Sequence, residues 1–448
     1  MAINQQSNAY SKLLRLVALS PFYYATIALE ALLESYFSLR FPRNHRELIS
    51  HPQKLFKLLK STQKQSAVKD GNSPADRLLP TNSEFISLKN TAALANEPDK
   101  NKTAGNYTLT YQVNGKQESL ALFIKFQCGR GLPLWLQSVR AAAEPGIARE
   151  VMFYQRLAGQ VGVRSPQPYY ADSIHRFNRV CLVLEQVDGF ALADWEGCPV
   201  AGIRAILKDV AQMNAKFLGL TATDQRTAWI PAREGLDNAS FIRDFIKNEP
   251  LWYQEIWAAL ESYFKRQPVT LIHGDCRPGN MLFLDDGSLA EQMNSMGEDN
   301  VSSWPADTGY PEVVFTDWEA INVGPLLSDF NYCVTLGLSV ASRRTHQECL
   351  LEEFLLTLQD FGISVEHGDW KKCRDEVDLL RIVLYYGDVA IRRKGFWSLQ
   401  GNTKQDDLAW VARVDAALID IDVKSVAKRL NVAEETIEQL KRRCAKKT

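Results

Sequence analysis

The sequence contains little that would direct the protein to an oxidising compartment or to a nucleic acid. Its eight cysteines are isolated, with no C-x-x-C pair, which argues against a disulfide framework and a structural zinc site. The formal net charge is −1 over 448 residues, and so balanced a charge gives no general attraction to nucleic acid or an anionic membrane. The isolated cysteines favour a reducing compartment, and we expect the protein to be cytoplasmic.

The apolar stretch near the N-terminus is too short to cross a bilayer. LVALSPFYYATIAL at 16–29 has 14 residues, whereas a membrane-spanning helix needs about 20. The apolar pattern continues beyond it, with Glu30 and Glu34 on another face, which favours a helix packed on the protein. We therefore predict a helical N-terminal extension over 1–60. Contact with a membrane surface, or a role in targeting, is the less favoured alternative.

The patterning after the extension predicts strands first and helices later. A polar, turn-rich segment at 61–84 predicts a linker. EFISLKN at 84–90 predicts a strand, and the apolar alternation on both sides of Asn114-Gly115 predicts a β-hairpin. RVCLVLEQV at 179–187 predicts a buried strand, whereas helical periodicity dominates from residue 203 onwards.

This order predicts an α+β protein with two lobes, since 448 residues are too many for one ordinary core. We place a small β-rich N-lobe at 85–187 and a larger, mainly helical C-lobe at 188–423. A basic helical tail follows at 424–448, with eight Lys and Arg residues against three Glu. Its sequence resembles a helix-turn-helix with Asn431 at the turn. A solvated helical hairpin is favoured there over nucleic-acid contact.

The motif with the clearest chemistry is LIHGDCRPGN at 271–280. Asp275 can accept or orient the proton of an attacking hydroxyl, and Asn280 offers a neutral oxygen to a metal ion. His273 is better suited to shaping the loop by hydrogen bonds. The alternative is a simple turn after a strand, because Asp, Pro, Gly and Asn all favour turns.

A second carboxylate follows another strand-like run, in VVFTDWEA at 313–320. Asp317 in this run can bind an ion that bridges nucleotide phosphates. Asp329, twelve residues later, either braces a loop or caps a helix. The tripeptide HGD recurs at 367–369 without an asparagine five places after Asp369, and we interpret that copy as a surface turn. The full spacing, not the tripeptide, makes 271–280 specific.

A lysine within an apolar strand forms the third element of the candidate site. Lys125 lies in ALFIKFQ, and its ammonium needs an anion unless it reaches water at the strand end. Glu150, in the following helical segment, could supply that anion. The alternatives are a lysine that extends into solvent and an exposed glutamate.

HGDCRPGN together with TDWEAINVGP resembles the aminoglycoside phosphotransferase and choline kinase superfamily, which shares the protein-kinase fold. REVMFYQRL, PQPYYAD, LVLEQVDG and MNAKFLG resemble the branch that contains ecdysteroid kinases. The resemblance covers residues 85–400. It implies a kinase that uses ATP and Mg²⁺ to phosphorylate a hydroxyl of a small molecule. The competing interpretation is a catalytically silent kinase-fold protein that binds a nucleotide or a partner.

The resemblance also implies roles for individual residues. Asp275 would be the catalytic base, and Asn280 and Asp317 would bind Mg²⁺. Lys125 would contact the phosphates and pair with Glu150, and the backbone from Glu185 to Val187 would receive adenine. Two departures are the missing G-x-G-x-x-G before Lys125 and Asn214 in MNAKF, where relatives commonly have histidine.

Aromatic residues in two helical segments bear on the acceptor. As a group they favour an apolar or ring-bearing alcohol such as a sterol, although core packing is the better explanation for any single one. A choline-like cation, held by cation–π contacts, is the alternative. The residues are Trp252, Tyr253, Tyr385, Tyr386, Phe396 and Trp397.

Overall fold

The computed structural model divides the chain into two compact units. The first comprises Met1–Gln155 and Gln167–Gln186, and the second comprises Arg156–Pro166 and Val187–Thr448. No helix in the described part of the chain has the length and apolar character needed to cross a bilayer. The described residues are 45–69, 79–80, 82–91, 104–127, 146–174, 179–193, 196–220, 224–230, 246–284, 311–364, 369–390 and 404–445.

A five-stranded antiparallel sheet forms the body of the first unit. Its strands occur in the order β1-β2-β3-β5-β4 and comprise β1 Glu84–Asn90, β2 Ala104–Val113, β3 Lys116–Gln127, β4 Pro168–Ile174 and β5 Arg179–Glu185. The predicted hairpin is confirmed. Asn114 and Gly115 have φ values of 50° and 80° between β2 and β3, the left-handed turn that Asn-Gly favours.

Two N-terminal helices cover one face of this sheet. They are α1, His45–Ser50, and α2, Pro52–Lys69. Four of their apolar side chains are buried in one cluster with apolar residues of the sheet, each burial contributing about 1.5–3 kcal/mol. The helix residues are Leu48, Leu55, Phe56 and Leu59, and their partners include Tyr107, Leu122, Ile124 and Phe126. Side chains alternate along a strand, so Lys125 lies on the opposite face, towards helix α3, Gly146–Arg156.

The N-terminal boundaries differ in part from those predicted. Residues 45–60 of the expected extension are helical except for a break at His51, whereas 1–44 lie outside the described residues. The predicted linker at 61–84 is wrong in its first part, because α2 continues to Lys69. Its lysines and glutamines are polar but are also good helix formers, so polarity alone did not reveal the helix.

The second unit is mainly helical, with two small antiparallel sheets. Strand β6, Val269–Ile272, pairs with β9, Asn322–Pro325, and β7, Met281–Leu284, pairs with β8, Glu312–Phe315. The α+β prediction is therefore confirmed. The helices are α4 Val200–Phe217, α5 Leu251–Phe264, α6 Ser328–Gly337, α7 Val340–Asp360, α8 Asp369–Leu384, α9 Lys404–Ile419, α10 Val423–Leu430 and α11 Glu434–Ala445.

The C-terminal helices belong to the core of the second unit, so the expected solvated hairpin is wrong. Val426, Leu430, Ile437 and Leu440 are all buried, and Asn431 ends α10 in the left-handed conformation.

The basic residues of the tail also form ion pairs within the second unit. The pairs are Arg429 with Asp375 and Arg443 with Glu249, each with a shortest contact of 2.8 Å. Of the second HGD copy, interpreted as a surface turn, only Asp369 lies among the described residues, and it begins α8.

Candidate active site

The loop between β6 and β7, residues 273–280 and here called the HGD loop, has a backbone that only glycine permits at its second position. Gly274 has a φ of +82°, and a Cβ built on it would lie 2.2 Å from the carbonyl oxygen of Ala320. The left-handed conformation and the close approach both require a residue without a side chain. Gly274 therefore lets the loop pack against the segment that carries Asp317.

Replacing Gly274 with alanine should destabilise the second unit, because the methyl group would collide with a backbone oxygen. Gly362 is the matched control in the same unit, since it has a φ of +85° but no described atom within 4 Å of the added Cβ. Gly362→Ala should cost only the conformational term, about 1–2 kcal/mol. Gly274→Ala should cost about 1–3 kcal/mol more, measured by urea unfolding. Equal losses would contradict the collision.

Asp329 holds the HGD loop from beneath. Its carboxylate accepts hydrogen bonds from the amides of His273 at 2.7 Å and Gly274 at 3.0 Å. Burial raises the pKa of Asp329 above its usual range, while His273 and the two amide donors oppose that rise. Of the two predicted roles, the contacts correspond to bracing the loop rather than capping helix α6, which begins at Ser328.

His273 is buried within the same loop. Its Nε2 lies 2.9 Å from the carbonyl oxygen of Thr316, which can only accept a hydrogen bond, so Nε2 carries the proton. Nδ1 then accepts the amide of Asp275, at 3.4 Å. The imidazole also packs 4.6 Å from the ring of Trp318. These contacts fit the structural role expected from the sequence.

Asp275 is fixed by two side chains of its own loop. Asn280 Nδ2 donates to Asp275 Oδ2 at 2.8 Å and to its carbonyl oxygen at 3.0 Å. Arg277 Nε lies 3.2 Å from Oδ1 and 3.3 Å from Oδ2. The Asp275 side chain is still 23 % exposed, so a small molecule could reach it. The carboxylate is thus oriented in advance but not enclosed.

Arg277 is the residue of this site that sequence reasoning did not identify. Besides its contact with Asp275, its guanidinium carbon lies 5.2 Å from the ring centre of Trp410 in helix α9, a cation–π contact. The available signal was an arginine two residues after the candidate base and directly before Pro278. Nothing local in the sequence indicates Trp410.

The two predicted metal ligands lie at the same end of the β7–β8 sheet. Asn280 directly precedes β7, Asp317 follows β8 by two residues, and Met281 pairs with Phe315. Thr316 joins the two segments by donating its amide, at 3.0 Å, and its hydroxyl, at 2.7 Å, to the carbonyl oxygen of Asn280. Because Asn280 Nδ2 faces Asp275, its Oδ1 is the atom suited to a cation.

Asp317 has an unusual backbone for a residue with a side chain. Its φ and ψ are 59° and 56°, the left-handed region in which aspartate and asparagine are tolerated better than most residues. Such a conformation costs on the order of 1–3 kcal/mol and is commonly found at functional sites. The backbone conformation of Asp317 is thus a second reason, besides its carboxylate, to consider this residue part of a functional site.

In the first unit, the predicted Lys125–Glu150 pair is present. Lys125 Nζ lies 2.7 Å from Glu150 Oε2, with the side chains 15 % and 2 % exposed. The strand β3 and the helix α3 position the two residues, which are 25 apart in sequence. A lysine extending into solvent and an exposed glutamate, the two alternatives, are both excluded by this geometry.

The segment expected to receive adenine lies at the end of β5. Glu185 is its last residue, and its Oε2 accepts the amide of Gln167 at 3.1 Å. The amide of Glu185 donates in turn to the carbonyl of Gln167 at 2.8 Å. Val187, half-buried, is the first residue of the second unit after β5. These contacts fix Glu185 but leave the adenine role a prediction.

Asn214, one of the departures from the family pattern, supports the strand that leads into the HGD loop. Its Nδ2 donates to the carbonyl of Leu271 at 3.0 Å, and Thr270 donates its hydroxyl to the carbonyl of Asn214 at 2.8 Å. Among the described residues, the buried Oδ1 of Asn214 accepts no hydrogen bond. Asn214 therefore has a structural place between α4 and β6.

The aromatic residues considered for the acceptor are mostly core residues. Tyr253 and Tyr386 stack with ring centres 4.1 Å apart, and the Tyr386 hydroxyl donates to the Tyr253 carbonyl at 2.8 Å. Both are buried, as is Tyr385. Core packing is thus the correct interpretation for these three. Trp252 is half-buried, and Phe396 and Trp397 lie outside the described residues.

Comparison with known proteins extends these observations. Residues 104–290 match the model of the phosphotransferase enzyme family, APH. This range includes Lys125, Glu150, Asp275 and Asn280. A comparison with curated proteins gave no match.

Several solved structures are similar at low sequence identity. A Plasmodium vivax ethanolamine kinase is 11% identical, with 82% of this chain and 88% of that chain covered and a TM-score of 0.42. An amicoumacin kinase in complex with AMP-PNP, Ca²⁺ and Ami is 12% identical, with 80% and 92% covered and a TM-score of 0.41. The GDP and kanamycin complex of an aminoglycoside phosphotransferase is 11% identical, with 75% and 95% covered and a TM-score of 0.40.

The family match and the sequence motifs agree. The match begins at β2 and ends beyond β7, so it contains both the Lys125–Glu150 pair and the HGD loop. Assignment to the ecdysteroid kinase-like branch stays a prediction. Residues 104–290 are thus similar to the phosphotransferase enzyme family, in agreement with the resemblance that the sequence motifs carry.

Proposed function

We propose that this protein is a Mg²⁺-dependent kinase that transfers the γ-phosphate of ATP to a hydroxyl group of a small molecule. The observation that carries the proposal is the orientation of Asp275 by Asn280 and Arg277, in a chain of a phosphotransferase family. Phosphoryl transfer depends mainly on positioning and charge stabilisation. A carboxylate oriented in advance and still accessible meets the first of these needs.

Asp275 would bind the hydroxyl of the acceptor. Its carboxylate accepts the hydrogen bond of that hydroxyl and takes the proton as the oxygen bonds to the γ-phosphorus and the bond to the β–γ bridging oxygen breaks. Asn280 donates a 2.8 Å hydrogen bond to Oδ2 of Asp275. Oδ1 does not accept this bond and is therefore the better acceptor for the proton. His273, hydrogen-bonded on both nitrogens, shapes the loop.

The donor atoms around Asn280 and Asp317 fit a magnesium ion. Mg²⁺ prefers oxygen ligands, often one or two protein groups together with phosphate oxygens and water. Asn280 offers its Oδ1 because Nδ2 is engaged with Asp275, and Asp317 offers a carboxylate. When bound, the ion would neutralise charge on the nucleotide phosphates.

Lys125 would contact nucleotide phosphates, and Glu150 would hold the lysine in place. The 2.7 Å contact and the near-complete burial of Glu150 restrict the ammonium to one position. The backbone from Glu185 to Val187 would bind adenine. The acceptor is a small molecule with a hydroxyl group, and the expectation that it is apolar or ring-bearing is no longer supported by Tyr253, Tyr385 and Tyr386.

A catalytically silent nucleotide-binding protein is the competing function. Such a protein would not need its full set of catalytic groups, whereas Lys125, Glu150, Asp275, Asn280 and Asp317 are all present here. The test is incubation with ATP, Mg²⁺ and a metabolite extract, with new phosphate esters identified by mass. New esters that require Mg²⁺ and wild-type Asp275 would support the kinase. ATP binding without ester formation would support the silent protein.

Replacing Asp317 with asparagine should weaken the binding of Mg²⁺–ATP at least about tenfold, because a charged ligand becomes neutral. Asparagine tolerates the left-handed backbone at this position, so the melting temperature should change little. Titration calorimetry gives the affinity. Glu319→Gln, at an exposed acid two residues away, is the control and should bind as the wild type does. An unchanged affinity in Asp317→Asn would remove this residue from the metal site.

A further inference from the structure

Arg277 places a fixed positive charge beside the proposed base. Its Nε lies 3.2 and 3.3 Å from the two carboxylate oxygens of Asp275, and its guanidinium carbon lies 5.2 Å from the ring centre of Trp410. Its amide donates to the carbonyl of Asp275 at 2.9 Å. Its backbone is extended, with φ −113° and ψ 152°, as expected directly before Pro278. The guanidinium is therefore positioned from both ends.

This charge changes the electrostatics at the place where the acceptor must bind. A guanidinium remains protonated at any working pH, so Asp275 and Arg277 together are neutral. Their side chains are 23 % and 18 % exposed, which leaves the interaction only partly screened by water. An acceptor with a positive group near its hydroxyl would approach Arg277 as closely as it approaches Asp275.

The aromatic face beside the base is also occupied. Recognition of a quaternary ammonium commonly uses the face of a tryptophan or tyrosine, and Trp410 is the aromatic residue that the structure brings to Asp275 through Arg277. Its side chain is buried, and the guanidinium of Arg277 lies over its ring. The ring of Trp410 is thus occupied by a cation of the protein itself and is not open to the cation of a choline-like acceptor.

Asp329 does not restore an anionic surface. Its carboxylate accepts the amides of His273 and Gly274 and is almost wholly buried, so it adds no exposed negative charge to the loop. In the described part of the second unit, the HGD loop therefore presents a compensated charge rather than a negative one.

We propose that Arg277 excludes positively charged acceptors, so that the substrate of this kinase is an alcohol without positive charge. This inference rests on the proposed function and specifies its substrate class. Arg277 acts as a positioning residue for Asp275 and as the group that determines charge selectivity.

The first test uses the wild-type protein and one metabolite extract, separated by cation exchange into a bound, cationic fraction and a neutral and anionic flow-through. Each fraction is incubated with ATP and Mg²⁺, and phosphate esters are counted by mass. Esters from the flow-through are expected. Esters mainly from the cationic fraction would overturn the inference but support the kinase. Esters from neither fraction would defeat the proposed function itself.

The second test isolates Arg277 with two alcohols of equal shape, choline and 3,3-dimethylbutan-1-ol, which differ by one positive charge. The wild type should favour the neutral alcohol at least about tenfold in kcat/KM, from the repulsion of one nearby charge. Arg277→Met keeps an apolar side chain against Trp410 but removes the charge, and should lose most of that preference. Arg277→Lys keeps the charge and should retain it.

A merely structural role for Arg277 would leave the ratio of the two rates unchanged. The ratio does not depend on the folded fraction, so partial loss of stable protein in Arg277→Met does not affect it. If that variant keeps the wild-type preference, or if the wild type favours choline, the inference is wrong. If Arg277→Met does not fold, Arg277→Gln replaces it with the same expectation.

Discussion

Replacing Asp275 with asparagine should lower kcat by about 10²–10⁴-fold while the affinity for Mg²⁺–ATP stays within about threefold. Asparagine keeps the size of the side chain and can still accept a hydrogen bond from Arg277, but its amide cannot take the proton of a hydroxyl. The loss should therefore appear in the chemical step and not in nucleotide binding. Initial rates of ester formation give kcat, and titration calorimetry gives the nucleotide affinity.

The chain contains a matched control for this variant. Asp369 belongs to the second HGD sequence and begins helix α8, where it has no asparagine five places later. Asp369→Asn should leave kcat unchanged. If Asp275→Asn also kept its kcat, the base would be another group and the HGD loop would have only a structural role. Melting temperatures of both variants exclude unfolding as the cause of a lost rate.

The Lys125–Glu150 pair should behave as one functional unit. Lys125→Met and Glu150→Gln each preserve the volume of the side chain and remove one charge. Each should lower kcat/KM for ATP by about 10²-fold, because the first variant removes the ammonium at the phosphates and the second no longer holds it in place. The double variant should lose little more than either single one, because the second change removes a partner that no longer functions. Steady-state kinetics with varied ATP gives the three values.

The ion pair of Arg164 and Glu312 is the control for charge removal in general. Its atoms lie 2.5 Å apart, but the side chains are 40 % and 58 % exposed, and exposed pairs contribute about 1 kcal/mol or less. Removing either of its charges should leave ATP turnover nearly unchanged. Stability must be followed as well, because breaking a buried pair can cost about 3–5 kcal/mol. Fully additive losses at Lys125 and Glu150 would reject their joint role.

Features with a local cause could be predicted from the sequence. Asn114-Gly115 determines its own turn, and the alternation on both sides of it determines which side chains of β2 and β3 face the helices. Asp275 and Asn280 are five residues apart in one short loop, so their contact also has a local cause. The Lys125–Glu150 pair joins residues 25 apart and could be expected only from the resemblance to a known fold.

Features that depend on distant partners could not be predicted. Arg277 and Trp410 are 133 residues apart, and no periodicity connects them. The apolar positions Val426 and Leu430 are visible in the sequence, but the helices that bury them, such as α5 and α8, come much earlier in the chain. Composition likewise could not decide whether Tyr253 and Tyr386 faced a ligand or each other. In each case the missing information is which surfaces pack together.

The helices α1 and α2 have a practical consequence for producing this protein in fragments. A recombinant fragment begun at residue 104, where the family match starts, would lack both helices and strand β1. It would expose the apolar face that carries Tyr107, Ile124 and Phe126, together with the unpaired edge of β2, and such surfaces promote aggregation. Soluble expression of a shortened protein should therefore require a start before His45, some 60 residues upstream of the recognisable family sequence.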